Sequence, residues 1–127
     1  MRQAFVFFLT AVLCAALPAQ AQEQTQNADG AVLRVLDRVS GEVSDVSLPA
    51  SQSFSIGPLS VGLDECRCPV DNLMGDAYAR LTVIDMRSDA LVFSGWMVAS
   101  SPALNPLDHA RYDVWVLRCN METGSTQ

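Results

Sequence analysis

Apolar residues along this chain fall into two regimes. The first is a single block at residues 4–17 (AFVFFLTAVLCAAL), 14 positions interrupted only by Thr10. From Ala31 onward the block gives way to short runs in which apolar and polar residues alternate, the half-buried strand pattern. Residues 31–36 (AVLRVL) are rich in β-formers and stop at Asp37. Residues 43–48 (VSDVSL) follow the turn pair Ser40-Gly41 and place Val46 and Leu48 on one face. Phe54 and Ile56 precede a Gly57-Pro58 breaker, after which Leu59, Val61 and Leu63 alternate with Ser60, Gly62 and Asp64. Residues 78–86 (YARLTVIDM) alternate again. Residues 90–99 (ALVFSGWMVA) and 112–119 (YDVWVLRC) are nearly continuous apolar runs, which suit central strands covered on both faces. No segment carries a sustained helical stripe. The pattern predicts an all-β fold, a small β-sandwich or barrel of about six to eight short, mostly antiparallel strands.

The opening block changes the boundaries of the domain. Met1-Arg2-Gln3 is a short positive start, residues 4–17 are the apolar stretch, and Ala19-Gln20-Ala21 is a small-x-small cleavage signal. Fourteen residues fall short of the roughly 20 that span a bilayer as a helix. Residues 1–21 are therefore expected to be a cleaved signal peptide. A lipoprotein signal ending at Cys14 is the weaker reading, because bulky Leu13 stands where a small residue is needed. Residues 22–30 (QEQTQNADG) lack periodicity and are expected to be a disordered leader. Residues 31–120 then form a single β domain and residues 121–127 a flexible tail. The expected location is the periplasm, with no integral membrane span after cleavage.

Charge excludes some partners. The chain has 14 acidic residues against eight basic ones, all arginine, for a net charge of −6. That balance argues against nucleic acid and against electrostatic docking on anionic lipid.

Three cysteines remain beyond the signal: Cys66, Cys68 and Cys119. In an exported chain they are read first as disulfide partners. A Cys66–Cys68 bridge would close a very small, strained ring. Cys66–Cys119 would join the end of a middle strand to the end of the last and is the favoured pairing, with Cys68–Cys119 next. A metal site is disfavoured, because Cys-x-Cys is not the usual zinc spacing and His109 is the chain's single histidine. Asp71, Asn72 and Asp76 are only a faint version of a calcium loop. No cofactor is expected.

The segment from Phe93 to Cys119 holds the candidate chemistry. A hydrolase would use Ser100 or Ser101 as nucleophile, His109 as base and Asp108 or Asp113 to orient it. The order of residue types alone does not create that geometry, and no G-x-S-x-G elbow is present. The plainer reading is a structured loop stiffened by Pro102 and Pro106, with Asp108 forming an Asx-turn and His109 bonding backbone or Asp113. As a binding surface, the segment offers Ser100, Ser101, His109, Tyr112, Asp113 and Trp96. Trp96 and Trp115 could stack on sugar rings or mark a partner surface, but their apolar neighbours place them first in the core.

Several strings in this region have a specific look: Phe93-Ser94-Gly95-Trp96-Met97, Ala99-Ser100-Ser101-Pro102-Ala103-Leu104 and Tyr112-Asp113-Val114-Trp115-Val116-Leu117. With Val35-Leu36-Asp37-Arg38-Val39, Cys66-Arg67, Pro69 and His109, they resemble a family of small exported proteins, mainly alphaproteobacterial, known as domain of unknown function 2155. The resemblance covers essentially the whole β domain. It implies that Cys66 and Cys119 match cysteines of the family and that Cys68 is the odd thiol. It implies no activity, ligand or cofactor. The expected function is a non-enzymatic envelope domain that binds or scaffolds another envelope protein or a cell-wall component, and the alternative is a small hydrolase using the 100–113 loop.

Overall fold

The computed structural model describes residues 23–121, so the expected signal peptide and all of the expected tail beyond Met121 lie outside the described residues. Eight strands run β1 Thr25–Asn27, β2 Gly30–Asp37, β3 Val43–Pro49, β4 Gln52–Ile56, β5 Leu59–Pro69, β6 Tyr78–Asp85, β7 Ala90–Val98 and β8 Tyr112–Asn120. All pairings are antiparallel. One sheet has the order β1-β5-β6-β7 with β4 also on β5, and the other has the order β3-β2-β8. The two sheets face each other, β2 over β5 and β8 over β6 and β7, as a small all-β sandwich. Among the described residues there is no helix.

The core is made by the inward positions of both sheets. Leu33, Val35, Val114 and Val116 meet Leu59, Val61, Leu63, Leu81 and Val83, each nearly or fully buried. In β5 the inward parity changes once. Leu59, Val61 and Leu63 point inward, then the register with β6 slips between Leu63 and Glu65, and Cys66 and Cys68 become the buried positions. A bulge of one extra residue has this effect, because the side-chain period of a strand is two. Asp64, at the slip, accepts a hydrogen bond from Thr82 Oγ1 at 2.8 Å.

That parity change places Cys66 under the other sheet. Cys66 and Cys119 form a disulfide with their Cα atoms 5.9 Å apart, joining β5 to β8 across the core. Cys68 is a free, buried thiol, and burial pushes its pKa up. A buried structural disulfide is compatible with an oxidising, exported environment.

Three sequence expectations need correction. The 22–30 segment is not a disordered leader over its described part. β1 pairs with β5 from Thr25–Pro69 to Asn27–Arg67, Ala28 N–H donates to the Cys66 carbonyl at 2.7 Å, and Ala28 is buried. Backbone pairing, which needs no apolar side chain, holds this polar stretch against β5. Second, the apolar runs at β7 and β8 are edge strands, each paired on one side only. Third, Trp96 is not a core residue, whereas Trp115 is partly buried and packed against the core. In β7, Phe93 and Met97 take the inward positions, which leaves Trp96 outside at 38% exposure. In β8, Tyr112, Val114 and Val116 face inward and Trp115 lies half-buried on the opposite face.

The β4–β5 connection shows why Gly57 is required. Its φ is +55°, and a Cβ there would lie 2.5 Å from the Tyr112 hydroxyl. Tyr112 therefore packs directly against that turn.

Candidate functional site

The segment connecting β7 to β8 is a fitted cover for the sandwich edge rather than an open catalytic loop. Leu107 is buried at 3% exposure and joins the core cluster between the two edge strands. Asn105 donates its side-chain amide to the Trp96 carbonyl of β7 at 3.1 Å. Gly95 allows that approach, since a Cβ there would sit 2.8 Å from the Asn105 amide nitrogen. On the other side, Pro102, Ala103 and Pro106 line a shallow groove with Trp115. Proline and a covering loop are the usual means by which an exposed sheet edge is closed to unwanted strand pairing.

The ends of this cover are fixed by polar contacts. Ser100 donates from its hydroxyl to Asp76 Oδ2 at 2.6 Å and from its backbone N–H to Asp76 Oδ1 at 2.9 Å. Asp76, a member of the faint calcium loop, thus serves as the acceptor at the exit of β7. Ser101 N–H donates to the Val98 carbonyl at 3.1 Å, closing a turn. At the entry to β8, His109 Nδ1 accepts the backbone N–H groups of both Arg111 and Tyr112, each at 3.1 Å. Its ring stacks on Tyr112 with centroids 5.6 Å apart. The acceptor that shapes this turn is therefore His109, which bonds backbone as expected, rather than an Asx-turn at Asp108.

An ion-pair cluster binds the same turn to the β2–β3 hairpin. Arg111 makes a two-pronged contact with Asp37, Nε to Oδ1 at 3.1 Å and Nη2 to Oδ2 at 2.9 Å. Arg38 donates to the His109 carbonyl at 2.7 Å and pairs with Asp113 at 3.3 Å. The Arg111 guanidinium beside Asp37, helped by the N–H groups of Val39 and Ser40, holds the Asp37 carboxyl well below its ordinary value.

These contacts separate the members of the alternative hydrolase triad. The hydroxyl of Ser100 is given to Asp76, and the Nδ1 of His109 is occupied by backbone. No hydrogen bond joins a serine to His109 among the described residues. Tyr112 is buried and Asp113 is paired. Of the six surface candidates, Trp96 alone presents a large aromatic face outward.

Two consequences are measurable. His109→Ala is expected to lower stability by about 1 kcal/mol, because two N–H groups lose their shared acceptor. His109→Asn should recover part of that loss by offering an oxygen near the Nδ1 position, and thermal melts of the three proteins check it. A second expectation concerns acid. A carboxylate whose folded pKa is depressed stabilises the native state above its unfolded pKa of about 3.9, and this contribution is lost as the pH falls below that value. The gap in melting temperature between the natural protein and Asp37→Asn should thus be full at pH 7 and narrow steadily below about pH 4. A gap of constant size down to pH 2 would exclude the Asp37 carboxylate as its source.

The surface around Trp96 is built by register. On the outer face of the larger sheet, Trp96 stands opposite Arg80, Arg80 opposite Glu65, and Tyr78 opposite Arg67. Trp96 and Tyr78 are diagonal neighbours, close enough for aromatic side chains to share one patch. With Glu23, Thr25 and Arg67 they line a depression of about 310 Å³. Tyr78 donates its hydroxyl to Glu23 at 3.2 Å, and Arg67 Nε donates to Thr25 Oγ1 at 3.0 Å. Burial, followed by the Glu23 hydrogen bond and charge, pushes the Tyr78 phenol up, which keeps it protonated and donating. Arg67 and Arg80 form no ion pair among the described residues, whereas Arg34, Arg38, Arg87 and Arg111 each hold an aspartate. Sequence reasoning missed Tyr78, Arg67, Thr25 and Glu23. The available signal was parity, since each occupies an outward strand position or flanks one, but the register that assembles them is not written in any single strand.

Comparison with known proteins adds a family. A family model described as "Uncharacterized protein conserved in bacteria (DUF2155)" matches residues 31–119. Uncharacterized protein RP359 of Rickettsia prowazekii (strain Madrid E) is 26% identical over 87 residues, which cover 66% of this chain and 56% of the relative. This chain thus spans little more than half of that relative's length. No solved structure matches.

Proposed function

The chain belongs to the DUF2155 family of proteins conserved in bacteria, and because that description assigns no activity, we propose from the structure that it is an exported, non-enzymatic binding domain of the cell envelope. The observation that carries this reading is Trp96. A tryptophan left outside a strand whose inward places are already filled, next to a second aromatic and two positioned polar pairs, is the composition of a recognition surface. The signal-like residues 1–21 and the Cys66–Cys119 bridge support export, and the periplasm is the address this reading proposes. The hydrolase alternative loses its support from the separate commitments of Ser100 and His109.

The test starts with the protein as the cell makes it. Periplasmic extract should contain a chain beginning at Gln22 by intact mass, and the tagged protein should associate with the envelope fraction. Trp96→Ala should reduce that association at least tenfold with an unchanged melting temperature, because the indole is exposed. Equal association of Trp96→Ala and the natural protein would overturn the assignment of this surface.

A further inference from the structure

The depression around Trp96 differs from the other candidate surfaces in its balance of chemistry. The groove beside Pro102 and Pro106 belongs to the loop that covers the sheet edge. The cleft lined by Val35, Val46, Phe54 and Ile56 mixes these apolar side chains with Asp37, Glu42, Ser44 and Ser55, and nothing on its surface identifies an occupant. At Trp96 an aromatic floor is combined with fixed hydrogen-bonding groups of both signs.

We infer that the Trp96–Tyr78 platform is a saccharide-binding site whose ligand is an uncharged pyranose glycan. This inference rests on the reading of the domain as a binding module. Three features of the surface support it. First, a pyranose ring carries an apolar C–H face with hydroxyls at its rim, which suits an exposed indole set beside planar polar side chains. Second, the polar partners are already held in place. Thr25 fixes Arg67, and Glu23 fixes the Tyr78 hydroxyl, so little rotamer freedom remains to be lost on binding. Third, the charges at the depression balance, one guanidinium from Arg67 against one carboxylate from Glu23.

That balance matters for choosing among ligands. The neighbouring pair Arg80 and Glu65 is also balanced, and Asp64 adds a further negative charge. With a net charge of −6 over the whole chain, an anionic lipid headgroup or a polyphosphate would be repelled rather than held. A protein partner is less well served too. A specific protein interface buries roughly 800 Å² per side around an apolar centre. Here the aromatic patch is bordered along one side by a polar row, Arg80, Thr82, Ser94 and Glu65, and on the other by Val98 opposite Tyr78, so its apolar part is a few side chains wide on the sheet.

The experiment titrates the protein of residues 22–127 with chitohexaose, cellohexaose and maltohexaose, and separately with phosphatidylglycerol vesicles. Calorimetry and tryptophan fluorescence are the readouts. At least one oligosaccharide should bind saturably with a dissociation constant on the order of 1 mM or tighter. Trp96→Ala should weaken it at least tenfold, Trp96→Phe should retain binding within a fewfold range, and Trp115→Phe should leave the affinity unchanged. Melting temperatures of the variants serve as the fold control. Binding to vesicles alone, equal affinity in Trp96→Ala, or no saturable binding to any of the three sugars would each overturn the saccharide inference. If sugars fail while Trp96→Ala still loses envelope association, the binding-domain reading survives with a protein partner. If both fail, that reading falls as well.

Discussion

Replacing both Cys66 and Cys119 by serine is expected to cost about 2–5 kcal/mol, a large part of the 5–15 kcal/mol typical of a folded domain. At roughly 4–8 °C per kcal/mol for a domain of this size, the melting temperature should fall by about 8 °C or more. The bridge closes a separation of 53 residues and cross-links the two sheets through side chains. Without it, β8 is held to the rest of the fold by one sheet neighbour, β2, and by core packing. The proper control is Cys68→Ala. Cys68 is fully buried, so a serine there would hide a hydroxyl inside an apolar core and confuse the comparison. Cys68→Ala should cost about 1–2 kcal/mol, the loss of one buried sulfur. In the native protein Cys68 should resist alkylation, since burial both shields the thiol and keeps it protonated. A double mutant that melts with the natural protein, or a peptide map containing three free thiols, would remove the bridge from the account.

The strands were legible in the sequence wherever inward and outward residues alternate without interruption. Residues 43–48, 78–86 and 112–119 all became strands within a residue or two of their expected ends. The pattern failed where parity breaks. In β5 the alternation of Leu59, Val61 and Leu63 breaks at the polar Glu65, and the strand continues through a bulge past Cys66 to Pro69. It failed again where pairing is carried by backbone alone, as in β1. Continuous apolar runs misled in another way. At β7 and β8 they do not mark strands covered by helices or a third layer. They mark edge strands whose outward apolar residues are Leu91, Trp96 and Trp115.

The candidate site was legible only as a list of residue types. Ser100, His109 and Asp113 lie close in sequence and suggested one constellation, but the chain uses each for a different anchoring contact. Ser100 pairs with Asp76 from 24 positions earlier, and Asp113 with Arg38 from 75 positions earlier. The residues that share a surface with Trp96 come from β1, β5 and β6 and the residues beside β1. Only the antiparallel register brings them together.

Leu107→Ala tests how far this surface depends on the edge cover. Leu107 is the one residue between Ser100 and Arg111 that is buried, and its side chain is the apolar anchor of the whole connection. Its removal leaves a cavity of several methyl groups and should cost about 2–5 kcal/mol, a loss comparable to that of the disulfide. The effect should be concentrated locally. With the anchor gone, the Asn105 amide is no longer held against the Trp96 carbonyl, and the free edges of β7 and β8 lose their cover. Limited proteolysis should then cut between residues 100 and 111 before any other described site, and concentrated samples should associate through the uncovered edges. Leu107→Met keeps most of the buried volume and should restore resistance to cleavage. If Leu107→Ala melts within 1 °C of the natural protein and is cut no faster, the connection does not depend on this anchor. The polar contacts of Ser100, Asn105 and His109 would then hold it by themselves.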